Sequence, residues 1–135
     1  MNLIENYPRS PREELNGLVH IPRMIDKANA LKERALGEYI FPCPIDKIML
    51  KFLDLSDREF TNKIFNLEEK EITKWISEII ASKQQADIDC INEQILNPKQ
   101  TWWIQVFWSV LNILNPTKKK FYTWVDRVDY EEGRL

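Results

Sequence analysis

Apolar residues recur at helical spacing through nearly the whole chain, and this repetition leaves few folds open. Ile72, Trp75, Ile76, Ile79 and Ile80 form one such stripe, with steps that place them on one side of an α-helix. Ile45, Ile48, Met49, Phe52 and Leu53 form a second, and Ile88, Ile91, Ile95 and Leu96 a third. Only 3 of the 135 residues are glycine, too few for the many tight turns of an all-β fold or for a Gly-rich phosphate loop. The expectation is an all-α fold, a single helical domain of about six helices with short loops, spanning residues 1–135.

Prolines and caps set the expected boundaries. Pro8 and Pro11 disfavour helix before them, so residues 1–11 read as an extended arm. Pro22 opens a first helix that runs to Leu36 and stops at Gly37. Met24, Ile25, Ala28 and Leu31 make its apolar side, while Arg23, Lys27 and Arg34 read as a solvated basic face. The connector Glu38–Pro44 leads to a second helix that starts at Pro44. Ser56 and Glu59 form a capping-box pattern for a third, and Asn66 with Glu69 a similar start for a fourth. A fifth helix spans Gln85–Leu96 and stops before Asn97-Pro98. A sixth, about Lys99–Leu114, is apolar nearly all round except for Gln105, Ser109 and Asn112. A short amphipathic turn with Trp124, Val125 and Val128 precedes an acidic tail.

Composition narrows the function classes. A net charge of -2 removes the main electrostatic reason to bind nucleic acid. The opening residues MNLIENYPRS lack an apolar signal core, and the apolar run Trp102–Leu114 is too short to span a bilayer. Cys43 and Cys90 make no disulfide framework, so the cytoplasm is the expected location.

Most chemistry-bearing residues crowd into Leu15–Asp46. Arg9, Arg12, His20, Arg23 and Lys27, with Asp26 among them, surround the start of the first helix. Backbone amides at a helix start favour an anion, and Arg forks match carboxylate or phosphate. This supports a non-catalytic module for a small anionic ligand or a protein segment as the leading reading. Six basic residues from Met1 to Glu38 face six acidic ones, however, and local ion pairs are the simpler account of them. A rival reading is an enzyme with Cys43 as nucleophile and His20 as base, because a thiol at a helix N-terminus is favoured as thiolate. Cys43 is equally explained as a small buried hydrophobe. His20, Cys43, Asp26 and Asp46 lack metal-ligand spacing, so no metal and no cofactor is expected. A third reading is a structural homodimer through Trp102, Trp103, Phe107 and Trp108 on the apolar sixth helix.

Four stretches also carry a resemblance. Pro8-Arg-Ser-Pro-Arg12, Leu15–Lys27 (LNGLVHIPRMIDK), Gly37–Asp46 (GEYIFPCPID) and the closing Glu132-Gly-Arg134 resemble a bacterial family catalogued as a domain of unknown function. Its pattern has PRSPR, then LGG-x-VH-x-PRMIDKA, then GEY-x-FPCP, then EGR. Asn16 stands where that pattern has glycine, and the sixth helix is more apolar here. The resemblance implies a small helical bacterial protein and carries no reaction with it.

Overall fold

The computed structural model describes residues 1–97, 106, 109–111, 113–114 and 123–134. The architecture is mostly helical. Its helices are α1 (Ile21–Lys32), α2 (Pro44–Phe52), α3 (Asp57–Asn66), α4 (Glu69–Ala81), α5 (Gln85–Leu96) and α6 (Trp124–Glu131). Val106, Ser109–Leu111, Ile113 and Leu114 are helical as well. The rest of the expected sixth helix, including Trp102, Trp103, Phe107 and Trp108, lies outside the described residues.

One small sheet interrupts the all-α expectation. β1 (Glu14–Leu15) pairs antiparallel with β2 (Leu18–Val19), Glu14 opposite Val19 and Leu15 opposite Leu18. Asn16 and Gly17 connect them with φ of 49° and 86°. A two-residue hairpin of this type needs both central residues left-handed, which Asn-Gly supplies at low cost. Asn92 on α5 braces the hairpin from outside. It accepts from the Val19 N–H at 3.0 Å and donates to the Gly17 carbonyl at 2.7 Å.

α1 is the central helix. Nine of its twelve residues are buried, from Ile21 through Ala28 and again at Ala30. Its apolar side meets Phe60 and Ile64 of α3, while Ile72, Ile76 and Ile80 of α4 and Ile88, Ile91 and Ile95 of α5 extend the same core. The expected solvated basic face is a correction: Arg23 and Lys27 are 4% and 3% exposed. A helix enclosed on all sides has no face left for water, so its cations must find carboxylates.

Two boundaries also move. α1 ends at Lys32, four residues early, because Arg34 turns left-handed (φ 55°) and the Ala35 N–H returns to the Ala30 carbonyl at 2.8 Å. Gly37 serves the arm instead: a Cβ there would stand 3.0 Å from the Leu3 carbonyl oxygen. α4 is capped by Glu68, whose N–H donates to Glu71 at 3.0 Å, while Asn66 is the last residue of α3. The Ser56–Glu59 box forms as read, with Glu59 N–H to Ser56 Oγ at 3.0 Å and Ser56 N–H to Glu59 at 3.2 Å. The arm is irregular, with Leu3 buried and its N–H bonded to the Ala35 carbonyl. Among the described residues no helix is long and apolar enough to cross a membrane.

Ser56→Ala removes the acceptor for an otherwise orphaned helix amide. It should cost about 1 kcal/mol of folding free energy, read from the urea midpoint.

Candidate functional site

The hairpin delivers His20 to the start of α1 in a left-handed conformation, φ 72°. A non-glycine residue holds that conformation at a cost, so its side chain is wanted where it points. The ring is fully buried, edge-on to Trp124 at 6.0 Å, and its Nε2 lies 2.7 Å from Asp46 Oδ1. Asp46 is the third residue of α2 and is also fully buried. Its second oxygen, Oδ2, accepts from Lys27 Nζ at 2.5 Å and from the Cys43 N–H at 2.9 Å. Lys27 sits two turns along α1 from His20, on the same side as Arg23. Its ammonium also donates to the Ile40 carbonyl at 3.2 Å and lies 3.5 Å from Cys43 Sγ. Cys43 is the N-cap of α2 and only half-buried. His20, Asp46, Lys27 and Cys43 thus form one connected chain that runs from the core to the surface.

Charge states follow from this arrangement. Burial pushes the Asp46 carboxyl up, but the His20 hydrogen bond and the Lys27 charge outweigh it and hold it at about 2, against an ordinary 3.8. An ionised carboxylate only accepts, so Nε2 of His20 carries the proton. Burial drives His20 below its ordinary 6.5 against the pull of Asp46, with Lys27 and Arg23 adding to the decrease. His20 is therefore neutral, and its Nδ1 is a buried acceptor with no donor among the described residues.

A second network binds the ends of the chain beside the first. Arg23 forks onto Glu132 at 2.8 and 3.0 Å and donates to the Arg9 carbonyl at 3.1 Å. Tyr39 donates its hydroxyl to Glu132 at 2.8 Å and lies under the Arg23 guanidinium. Burial and the adjacent Glu132 raise the Tyr39 phenol. Burial would raise Glu132, but Arg23 and Arg134 hold it low. Arg12 reaches Asp126 and Asp129 at 2.5 and 2.6 Å, and Ser10 donates to Asp129 at 2.7 Å. Arg134 pairs with Glu132 and donates to the Pro8 carbonyl. Arg9 forks onto Asp26 at 2.9 and 3.0 Å.

The structure therefore joins some of the expected site residues and separates others. His20, Lys27 and Cys43 share one cluster, with Arg23 alongside, whereas Arg9 with Asp26 and Arg12 with the α6 acids form pairs of their own. His20 is turned to Asp46, so it is no direct base for Cys43. Arg23, Lys27 and Cys43 border a cleft of about 890 Å³ between the arm, the connector and α6. Sequence reasoning missed Tyr39 and Glu132, and gave Asp46 only a place in a weak metal set. Oxygen, nitrogen and sulfur atoms of His20, Cys43 and Asp46 do lie within 4.8 Å of one another. Lys27 Nζ lies 2.5 Å from Asp46 Oδ2 and 3.5 Å from Cys43 Sγ, so an ammonium competes with any metal ion for two of these three donors.

Both buried titrations point the same way in pH. The unfolded chain protonates His20 near 6.5 while the folded chain resists, so stability is full above that pH and is lost as pH falls. The folding free energy from urea unfolding should drop by about 1 kcal/mol per pH unit below it, and His20→Asn, which tolerates the left-handed backbone, should flatten that loss. The Asp46 contribution disappears only below 3.8.

No curated protein matches the chain. A family model described as a domain of unknown function (DUF5069) matches residues 5–134. That span holds all four stretches that meet at this site, and the chain belongs to the DUF5069 family.

Proposed function

We propose that Cys43 is the nucleophile of a thiol-dependent reaction on a small molecule bound in the cleft. The observation that carries this reading is the Cys43 sulfur at the cleft, 3.5 Å from the Lys27 ammonium. The ammonium and the N-terminal end of α2 both offset negative charge on sulfur. Asp46 fixes Lys27 in place, and His20 fixes Asp46, so both act as positioning residues. In the step itself the sulfur electron pair forms a bond to an electrophilic carbon. The bond from that carbon to its leaving group breaks, the leaving group departs with its electron pair, and the proton it takes from solvent balances the one the thiol gave up to solvent. The anion-module reading draws less support, because Arg9, Arg12, Arg23 and Lys27 each already face a carboxylate. Two free cysteines support a reducing, cytoplasmic setting, and the family resemblance supports a bacterial host.

Cys90 is exposed and serves as an internal reference. Iodoacetamide should alkylate Cys43 about tenfold faster than Cys90, followed by peptide mass spectrometry. A Cys43 that reacts no faster than Cys90 ends this reading.

One observation favours the homodimer as a second reading. Val106, Val110, Ile113 and Leu114 are 52%, 47%, 81% and 73% exposed at steps of four, three and one, so they share one helix face. An apolar face of that kind fits a second copy of the chain. Light scattering should then give twice the monomer mass and Val110→Glu should halve it; a monomer at every concentration removes the dimer.

A further inference from the structure

Resting on the reading of Cys43 as nucleophile, we infer that the cleft selects a ligand with an apolar body and a positively charged head. The two cations in its wall have their donors engaged: Lys27 on Asp46, the Ile40 carbonyl and the Cys43 sulfur, and Arg23 on Glu132 and the Arg9 carbonyl. The charges left at the rim are negative. Glu5 and Glu38 border the cleft, are exposed, and have no ion pair among the described residues. Carboxylates lining a cleft raise the local concentration of cations and repel anions.

Beside Asn6 and Glu131, which pairs with Arg127, the rim carries large apolar and aromatic side chains. Ile4, Tyr7 and Ile40 are 67%, 57% and 69% exposed, and all three border this cleft. Large exposed hydrophobic side chains gathered around one concave surface mark a binding site more than a solvated one. Trp124 adds a second ring to the wall. Aromatic faces next to unpaired carboxylates are the chemistry that recognises an alkylammonium group. An anionic electrophile would meet both the rim carboxylates and an apolar surface that cannot solvate it.

Methanethiosulfonates test this because three of them share one reactive group and differ in charge. Sulfur attacks the reagent's sulfenyl sulfur, a new S–S bond forms, the thiosulfonate S–S bond breaks, and methanesulfinate leaves with the electron pair. The full chain carrying Cys90→Ser is treated with the trimethylammonium-ethyl, sulfonato-ethyl and benzyl reagents. Rates are read by intact mass and divided by those of a free small-molecule thiol. The cationic-to-anionic ratio should exceed that of the free thiol by about tenfold. The excess should shrink when Glu5→Gln and Glu38→Gln are combined, and again in high salt. Ile40→Ser should slow the benzyl reagent alone. Fast modification with a ratio at or below that of the free thiol overturns the charge selectivity and leaves the nucleophile standing. Failure of all three reagents to modify Cys43 overturns the nucleophile itself and the selectivity with it.

Discussion

A carboxylate with no access to water organises this protein. Asp46 is ionised in a fully buried position, which is tolerable only because three donors from three places in the chain converge on it. His20 comes from the hairpin, Lys27 from the middle of α1, and the Cys43 amide from the start of α2. Removing one donor exposes the cost of the rest, since a buried ion pair loses several kcal/mol when one partner goes, about 3–5 by comparison with other proteins. The same constraint positions the sulfur of Cys43, because the residue that caps α2 is the residue whose amide Asp46 holds.

A similar logic closes the chain on itself. Once α1 is enclosed, Arg23 needs a carboxylate, and the one within the helix, Asp26, is taken by Arg9. Glu132 supplies it from beyond α6, and Arg134 and Tyr39 complete the coordination of that carboxylate. Four segments far apart in sequence therefore meet through charge, in a layer beside the apolar core formed by α1, α3, α4 and α5.

Local signals were legible in the sequence. The Ser56–Glu59 cap, the Pro44 start of α2 and the full extent of α5 follow from chemistry within one or two turns. What was misread depended on distant neighbours. Arg23 and Lys27 look like a wet face because their partners, Glu132 and Asp46, lie 109 and 19 residues away. The end of α1 was misplaced because Arg34, a residue that rarely adopts the left-handed region, does so under tertiary constraint. The hairpin has a local signal in Asn16-Gly17, but strands of two residues each are too short to show an alternating pattern. For the site, the sequence pointed to His20, Lys27 and Cys43, but which of them touch is set by packing that spacing alone does not encode.

One amide group on α5, that of Asn92, bonds the turn at Gly17 and the second strand at Val19, immediately before the left-handed His20. The residue that precedes His20 is thereby tied to α5, a helix that gives no residue to the cleft wall among those described, so the seat of the imidazole is shared between the hairpin and a helix outside the site.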